Sequence, residues 1–237
     1  MDVLVLAGGH SDDLPVLQKA NLLIDGKRMV DHVVAALEQV PALDQIRIEH
    51  GESDSLVTNL LTAIERWQAE SSDYLLIASC DIPFLTPEAV TSFLDACPPG
   101  YDFYYPVVSQ AVCETRFPGV RRTYVKLKDG TFTGGNLFLV RAAVLPPLSA
   151  RLHRMFQNRK RPLLLAREFG WGTTLSFAAS ALLGTLSIAK VERQVERLCG
   201  IKAKAVISEH AEIGTDIDKL TDLALVEQLV TNTKEVI

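Results

Sequence analysis

Three aspartates and one lysine, far apart in the chain, are the residues best suited to chemistry on a phosphate. Asp81 follows the apolar run Tyr74-Leu75-Leu76-Ile77-Ala78 through Ser79-Cys80, and Ile82-Pro83 fixes the turn after it. Asp216 and Asp218 stand in a second acidic loop, Gly214-Thr215-Asp216-Ile217-Asp218. Carboxylates in such places either cap a helix or offer oxygens to Mg²⁺, which takes one or two carboxylates together with substrate phosphates. Two loops each giving one Asp would therefore suffice for a metal. Lys19 is either a solvated surface charge or a cation that offsets charge developing on a triphosphate attacked at its α-phosphorus. Gly8-Gly9 ends the run Val3-Leu4-Val5-Leu6-Ala7. Glycines there let backbone N–H groups approach an anion, although an ordinary turn would use them as well.

These residues need elements to hold them. Strand and helix signals alternate over the first hundred residues, which predicts an α/β domain with a mainly parallel sheet. Val3–Leu6 reads as the first strand, and Asn21 to Ile24 as a short extended piece. Val30, Val33, Val34 and Leu37 have helical spacing. Ile46–Ile48 is a second strand, followed by a helix carrying Val57, Leu60, Leu61 and Ile64. Tyr74–Ala78 is a third strand, apolar on both faces, and Thr86-Pro87-Glu88 opens the next helix with Thr86 as N-cap. Ligands in open α/β sheets gather at the carboxyl ends of strands, so Gly8-Gly9 and Asp81 are expected on one rim. Phe103–Val108 and Tyr124–Leu127 then read as strands, Asp129-Gly130 as a turn, and Leu137–Val140 and Ala203–Ile207 as further strands. Leu223, Val226, Leu229 and Val230 mark a C-terminal helix.

Composition narrows the class. With 237 residues, 48% of them hydrophobic and 22% charged, the chain can bury one sizeable core. We read residues 1–237 as a single domain with a helical insertion near 149–199. A formal charge of -5 argues against a nucleic-acid polymer as partner. Cys80, Cys97, Cys113 and Cys199 form no metal-ligand spacing and imply a reducing, cytoplasmic setting. The apolar stretch Leu175 to Ala189 falls short of the roughly 20 residues that span a bilayer and reads as a buried helix.

Four ordered segments carry a family resemblance. They are Leu6-Ala7-Gly8-Gly9; Lys19-Ala20-Asn21-Leu22-Leu23-Ile24-Asp25-Gly26-Lys27-Arg28-Met29-Val30; Cys80-Asp81-Ile82-Pro83-Phe84-Leu85-Thr86; and Gly214-Thr215-Asp216-Ile217-Asp218-Lys219-Leu220-Thr221-Asp222-Leu223. Together they resemble the MobA-like NTP transferases, similar in turn to cytidylyltransferases and sugar-phosphate nucleotidylyltransferases. The resemblance implies a Rossmann-like three-layer α/β/α mixed sheet of the nucleotide-diphospho-sugar transferase type. It implies transfer of a nucleoside monophosphate from an NTP to a small, phosphorylated acceptor, with Mg²⁺ as cofactor and pyrophosphate released. Leu6, Ala7, Gly8 and Gly9 match the triphosphate loop, Lys19 the catalytic cation, and Asp81 the principal metal ligand. Asp218 matches the second ligand, with Asp216 in reserve.

Where the family carries a basic element after the glycines, this chain has His10-Ser11-Asp12-Asp13-Leu14-Pro15. A nucleotide-binding regulatory protein without catalysis is therefore the alternative, followed by a glycosyltransferase using a sugar nucleotide.

Further candidates have a plain reading beside the functional one. Ser53, Ser55 and Asn59 are expected either at the nucleotide or capping a helix. Gly134, Gly135 and Asn136 are expected either at the acceptor or in a hairpin bend. Arg122 and Lys126, with Tyr124 and Lys128, would share one strand face suited to an anionic acceptor, or to solvent. Arg159-Lys160-Arg161 reads as a surface turn. Base preference, acceptor identity and oligomeric state are not legible in the chain.

Overall fold

The computed structural model describes residues 1–8, 18–51, 56–67, 73–157, 179–180, 184–219 and 221–224. Gly9, Asp12, Asp13, Ser53, Ser55, Arg159–Arg161 and the helix expected through Val226–Val230 lie outside the described residues. Ten strands are present among those described. Eight of them form one mixed sheet in the order β4-β1-β5-β9-β6-β8-β7, with β10 paired to β6.

Strand β1 (Asp2–Leu6) is buried at every position, because Val3 and Val5 point to one face and Leu4 and Leu6 to the other. It lies between β4 (Ile46–Glu49) and β5 (Tyr74–Ser79), parallel to both. The helices fill the two faces. Helix α1 (Met29–Leu37) and α3 (Pro87–Asp95) contribute Val30, Val33, Leu37, Val90 and Phe93 to one core cluster. Ala63, with Leu60 and Ile64, brings α2 (Leu56–Trp67) onto the opposite face beside Leu4, Leu6 and Leu75. Full burial of one such side chain contributes roughly 1.5–3 kcal/mol, so the layers are held mainly by these apolar contacts. Thr86 caps α3 as expected, its hydroxyl accepting from the Ala89 N–H at 3.2 Å.

The second half is mixed, with antiparallel pairs among its middle strands and a last strand that runs parallel to its partner. It comprises β6 (Phe103–Ser109), α4 (Gln110–Arg116), β7 (Val125–Leu127), β8 (Gly130–Gly134), β9 (Leu137–Arg141), α5 (Leu145–Gln157), α6 (Ile188–Cys199) and β10 (Ala203–Ser208). Strands β8 and β9 both pair with β6, but the register slips by two residues across Gly135-Asn136. Past that slip β9 lies between β6 and β5, with Leu139 and Val140 paired to both.

Three expectations need correction. Residues 21–24 are not one extended piece: Lys19–Asn21 is a 3-10 turn, followed by a hairpin of β2 (Leu23–Ile24) and β3 (Lys27–Arg28). Asp25 and Gly26 take φ of 48° and 78°, the positive values that a two-residue hairpin turn requires and that Asp-Gly supplies. The stretch 175–189 is not one helix, because Gly184 takes φ 64° and Ser187 caps a new helix at Ile188. Nor do Arg122, Tyr124, Lys126 and Lys128 share a strand, since β7 begins at Val125 and ends at Leu127.

Candidate functional site

The carboxyl ends of β4, β1 and β5 stop side by side. Leu6 is level with Ser79 and with Glu49, the Ala7 N–H donates to Glu49 O at 2.7 Å, and the Cys80 N–H donates to Leu6 O at 3.1 Å. Gly8 and Asp81 thus leave the sheet on one rim, as expected from the strand pattern.

Gly8 is tightly seated, because a Cβ there would lie 2.7 Å from His50 O and 2.8 Å from the Asn59 amide. Gly51, with φ 67°, closes the same corner, and any side chain on it would run into Asn59. Asn59 is buried within α2. It fills the corner between Gly8 and Gly51.

Lys19 is carried by the 3-10 turn, whose Ala20 is fully buried in the first core cluster. The hairpin behind is fixed by the Met29 N–H donating to Leu22 O at 2.7 Å. From this base the lysine reaches Asp81, with Nζ 3.4 Å from Oδ2, and forms an ion pair with Asp218. The Lys19 side chain is only 12% exposed. Burial alone would lower its pKa, but Asp81 and Asp218 outweigh burial and leave it raised. Lys19 is therefore a partly buried cation whose charge is favoured by its two aspartates.

Asp81 accepts from the Ser79 hydroxyl through Oδ1. Its main-chain carbonyl accepts from the Ile217 N–H at 2.8 Å, which ties the end of β5 to the acidic loop. That loop follows the 3-10 turn Ala211–Gly214. Ile217 is fully buried against Phe117, Val108 and Ala211, so the residues on either side of it, Asp216 and Asp218, are held beside Asp81.

One oxygen from each of Asp81, Asp216 and Asp218 lies within 4.8 Å of the others. Burial, then the charges of Asp81 and Asp218, push the Asp216 carboxyl up to about 6. Three acidic groups so close repel one another unless a cation sits among them. Lys19 supplies one positive charge, and the trio fits a hard divalent cation with oxygen ligands. Burial pushes the Cys80 thiol up to about 12, so no thiolate nucleophile stands beside Asp81.

The remaining candidates separate. Arg122 turns inward: Nε donates to Gly214 O at 3.1 Å and Nη2 to the Thr215 hydroxyl at 2.5 Å. Lys126 is exposed on β7, opposite Thr131. The space for a Cβ at Gly134 is taken by the Tyr105 hydroxyl, at 1.7 Å, and at Gly135 by Ile213 and Pro106. Asn136 is bound through its backbone, its N–H donating to Ile213 O and its carbonyl accepting from the Ser79 N–H, both at 2.9 Å. Residues 221–224 are helical, so the acidic loop precedes that turn. Sequence reasoning missed Ser79, Thr215 and the inward role of Arg122. The short spacing of Ser79 from Asp81 was the one signal available for these.

This sheet, with its acidic rim, defines a nucleotide-diphospho-sugar transferase fold. Two solved structures share it at low identity. The CMP:2-keto-3-deoxy-manno-octonic acid synthetase solved with CTP is 14% identical, at TM-score 0.55 over 99% of each chain. A 4-diphosphocytidyl-2C-methyl-D-erythritol synthase is 11% identical, at TM-score 0.58 over 97% of each chain. No family model matches the chain, and no curated protein matches it. A hypothetical transferase from Thermus thermophilus is 36% identical, with TM-score 0.78, over 94% of this chain and 98% of its own. The protein belongs to the same family as that Thermus thermophilus transferase.

Proposed function

We propose that the protein is a nucleotidyltransferase of the MobA-like kind. It would move a nucleoside monophosphate from an NTP to a small, phosphorylated acceptor and release pyrophosphate. The observation that carries this reading is the convergence of Lys19, Asp81, Asp216 and Asp218 at the strand rim beside Leu6-Ala7-Gly8. The fold shared with a synthetase solved with CTP, and the four ordered motifs, support it.

Asp81 and Asp218, with Asp216, would hold Mg²⁺, which when bound supplies charge neutralisation on the triphosphate oxygens. The chain's own residues do the rest. Gly8 ends β1 where His50 O and Asn59 leave no room for a side chain, and the rim there would offer backbone N–H groups to an anion. Lys19, its pKa raised by Asp81 and Asp218 against the effect of burial, would offset charge that builds on the α-phosphoryl group as the acceptor oxygen attacks in line. Ser79 orients Asp81 by donating to one of its oxygens. No protein nucleophile is required.

A thermal-shift panel of ATP, GTP, CTP and UTP with Mg²⁺ tests the reading, because a ligand that binds only the folded state raises the midpoint. One nucleotide should give a Mg²⁺-dependent rise that Asp81→Asn removes, and pyrophosphate should appear when an acceptor is supplied. A shift without pyrophosphate, across phosphorylated acceptors, would favour the non-catalytic nucleotide-binding alternative.

A further inference from the structure

We propose that Arg122 is the positioning residue of the acidic loop, holding residues 214–218 so that Asp216 and Asp218 face Asp81. This rests on the metal-site reading above and assigns Arg122 to the loop rather than to the acceptor. The guanidinium turns one edge, Nε and Nη2, to one turn, donating to Gly214 O at 3.1 Å and to Thr215 Oγ1 at 2.5 Å. The Thr215 hydroxyl in turn donates a hydrogen bond to Ala211 O at 2.6 Å. Thr215 is fully buried, and Arg122 lies 5.9 Å from the centre of the buried Phe117 ring.

On the far side, the loop is fixed by the Ile217 N–H donating to Asp81 O at 2.8 Å. Asp216 therefore sits between two pinned residues, Thr215 and Ile217. Like charges on Asp81, Asp216 and Asp218 push the loop away from β5. The pin at Ile217 is a single neutral hydrogen bond, whereas the Arg122 fork is planar, charge-assisted and bidentate. A lysine could satisfy one of the two acceptors but not both in that geometry. Outer partners of this kind typically change metal affinity by about 10–100-fold when removed.

Mn²⁺ binding followed by electron paramagnetic resonance, without nucleotide, provides a readout independent of turnover. Arg122→Lys and Arg122→Ala should weaken Mn²⁺ binding about 10–100-fold, and Thr215→Val should weaken it in the same direction. The double variant Arg122→Ala/Thr215→Val should be no worse than Arg122→Ala, since both act through one contact. Arg116→Ala removes the neighbouring cation that pairs with Glu212 at 3.2 Å on the same 3-10 turn, and should leave Mn²⁺ affinity unchanged. If Arg122→Ala does not fold, Arg122→Lys and Thr215→Val carry the test. Wild-type affinity in Arg122→Lys and Thr215→Val, with binding lost in Asp81→Asn, overturns the role of Arg122 and leaves the metal site standing. A wild-type protein that binds no Mn²⁺ overturns both.

Discussion

At the scale of single residues the site is a balance of charge. Lys19 faces two carboxylates, and Asp216 holds its proton up to about pH 6 because burial and its two acidic neighbours disfavour the anion. An Asp in the unfolded chain titrates near pH ~3.9. The metal-free folded state therefore binds the extra proton between these values. The stability this group contributes is complete below about pH 4 and is lost as pH rises through about 6. Asp216→Asn, which cannot ionise, should raise the stability of the metal-free protein at pH 8 by on the order of 2 kcal/mol and change it little at pH 4. Urea unfolding at the two pH values measures this. On the proposed function, Lys19→Ala should lower kcat more than it raises KM for the nucleotide; equal losses would assign it to ground-state binding.

At the scale of elements, the bulge between β8 and β9 decides how the two halves of the sheet join. Gly134 lies there against the Tyr105 ring, where a methyl group would overlap the phenolic oxygen. Gly134→Ala should cost about 1–3 kcal/mol by forcing Tyr105 or β8 to move, and Tyr105→Phe should recover part of the loss by removing that oxygen. Thermal midpoints of the two single variants and the double give the coupling. If Tyr105→Phe does not help, the cost lies elsewhere in β8. Asparagine 59 has the matching role at the other end of the rim. It fills the space left by Gly8 and Gly51, so the glycine turn is supported from α2 as well as from β1.

At the scale of the whole molecule, the cores on the two sheet faces are assembled from apolar side chains without help from the acidic site. Lys19 neutralises part of the acidic trio when no other cation is present. On the proposed function, chelation with EDTA should therefore abolish nucleotidyl transfer while moving the thermal midpoint by no more than a few degrees. Calorimetry with and without the chelator checks it, and cooperative unfolding on chelation would show that the cation is structural. No helix among the described residues is long and apolar enough to cross a membrane.

Much of this was legible in the residues because it depends on local rules. The all-apolar runs Val3–Leu6 and Tyr74–Ala78 specify strands covered on both faces, and Thr86-Pro87 specifies a helix start, since periodicity and capping act over a few residues. The rim position of Gly8 and Asp81 followed from the parallel pairing those runs imply. What the sequence could not determine was pairing across long separations. The meeting of Asp81 with Asp218 or Asp216 was expected only through the family resemblance, whereas the tertiary structure alone brought all three together with Lys19, turned Arg122 onto Gly214 and Thr215, and used Gly134 and Gly135 for close packing. An arginine reads the same in sequence whether it faces a substrate or a backbone carbonyl 92 residues away. The difference is made by which buried surfaces meet, and that depends on the packing of the whole chain.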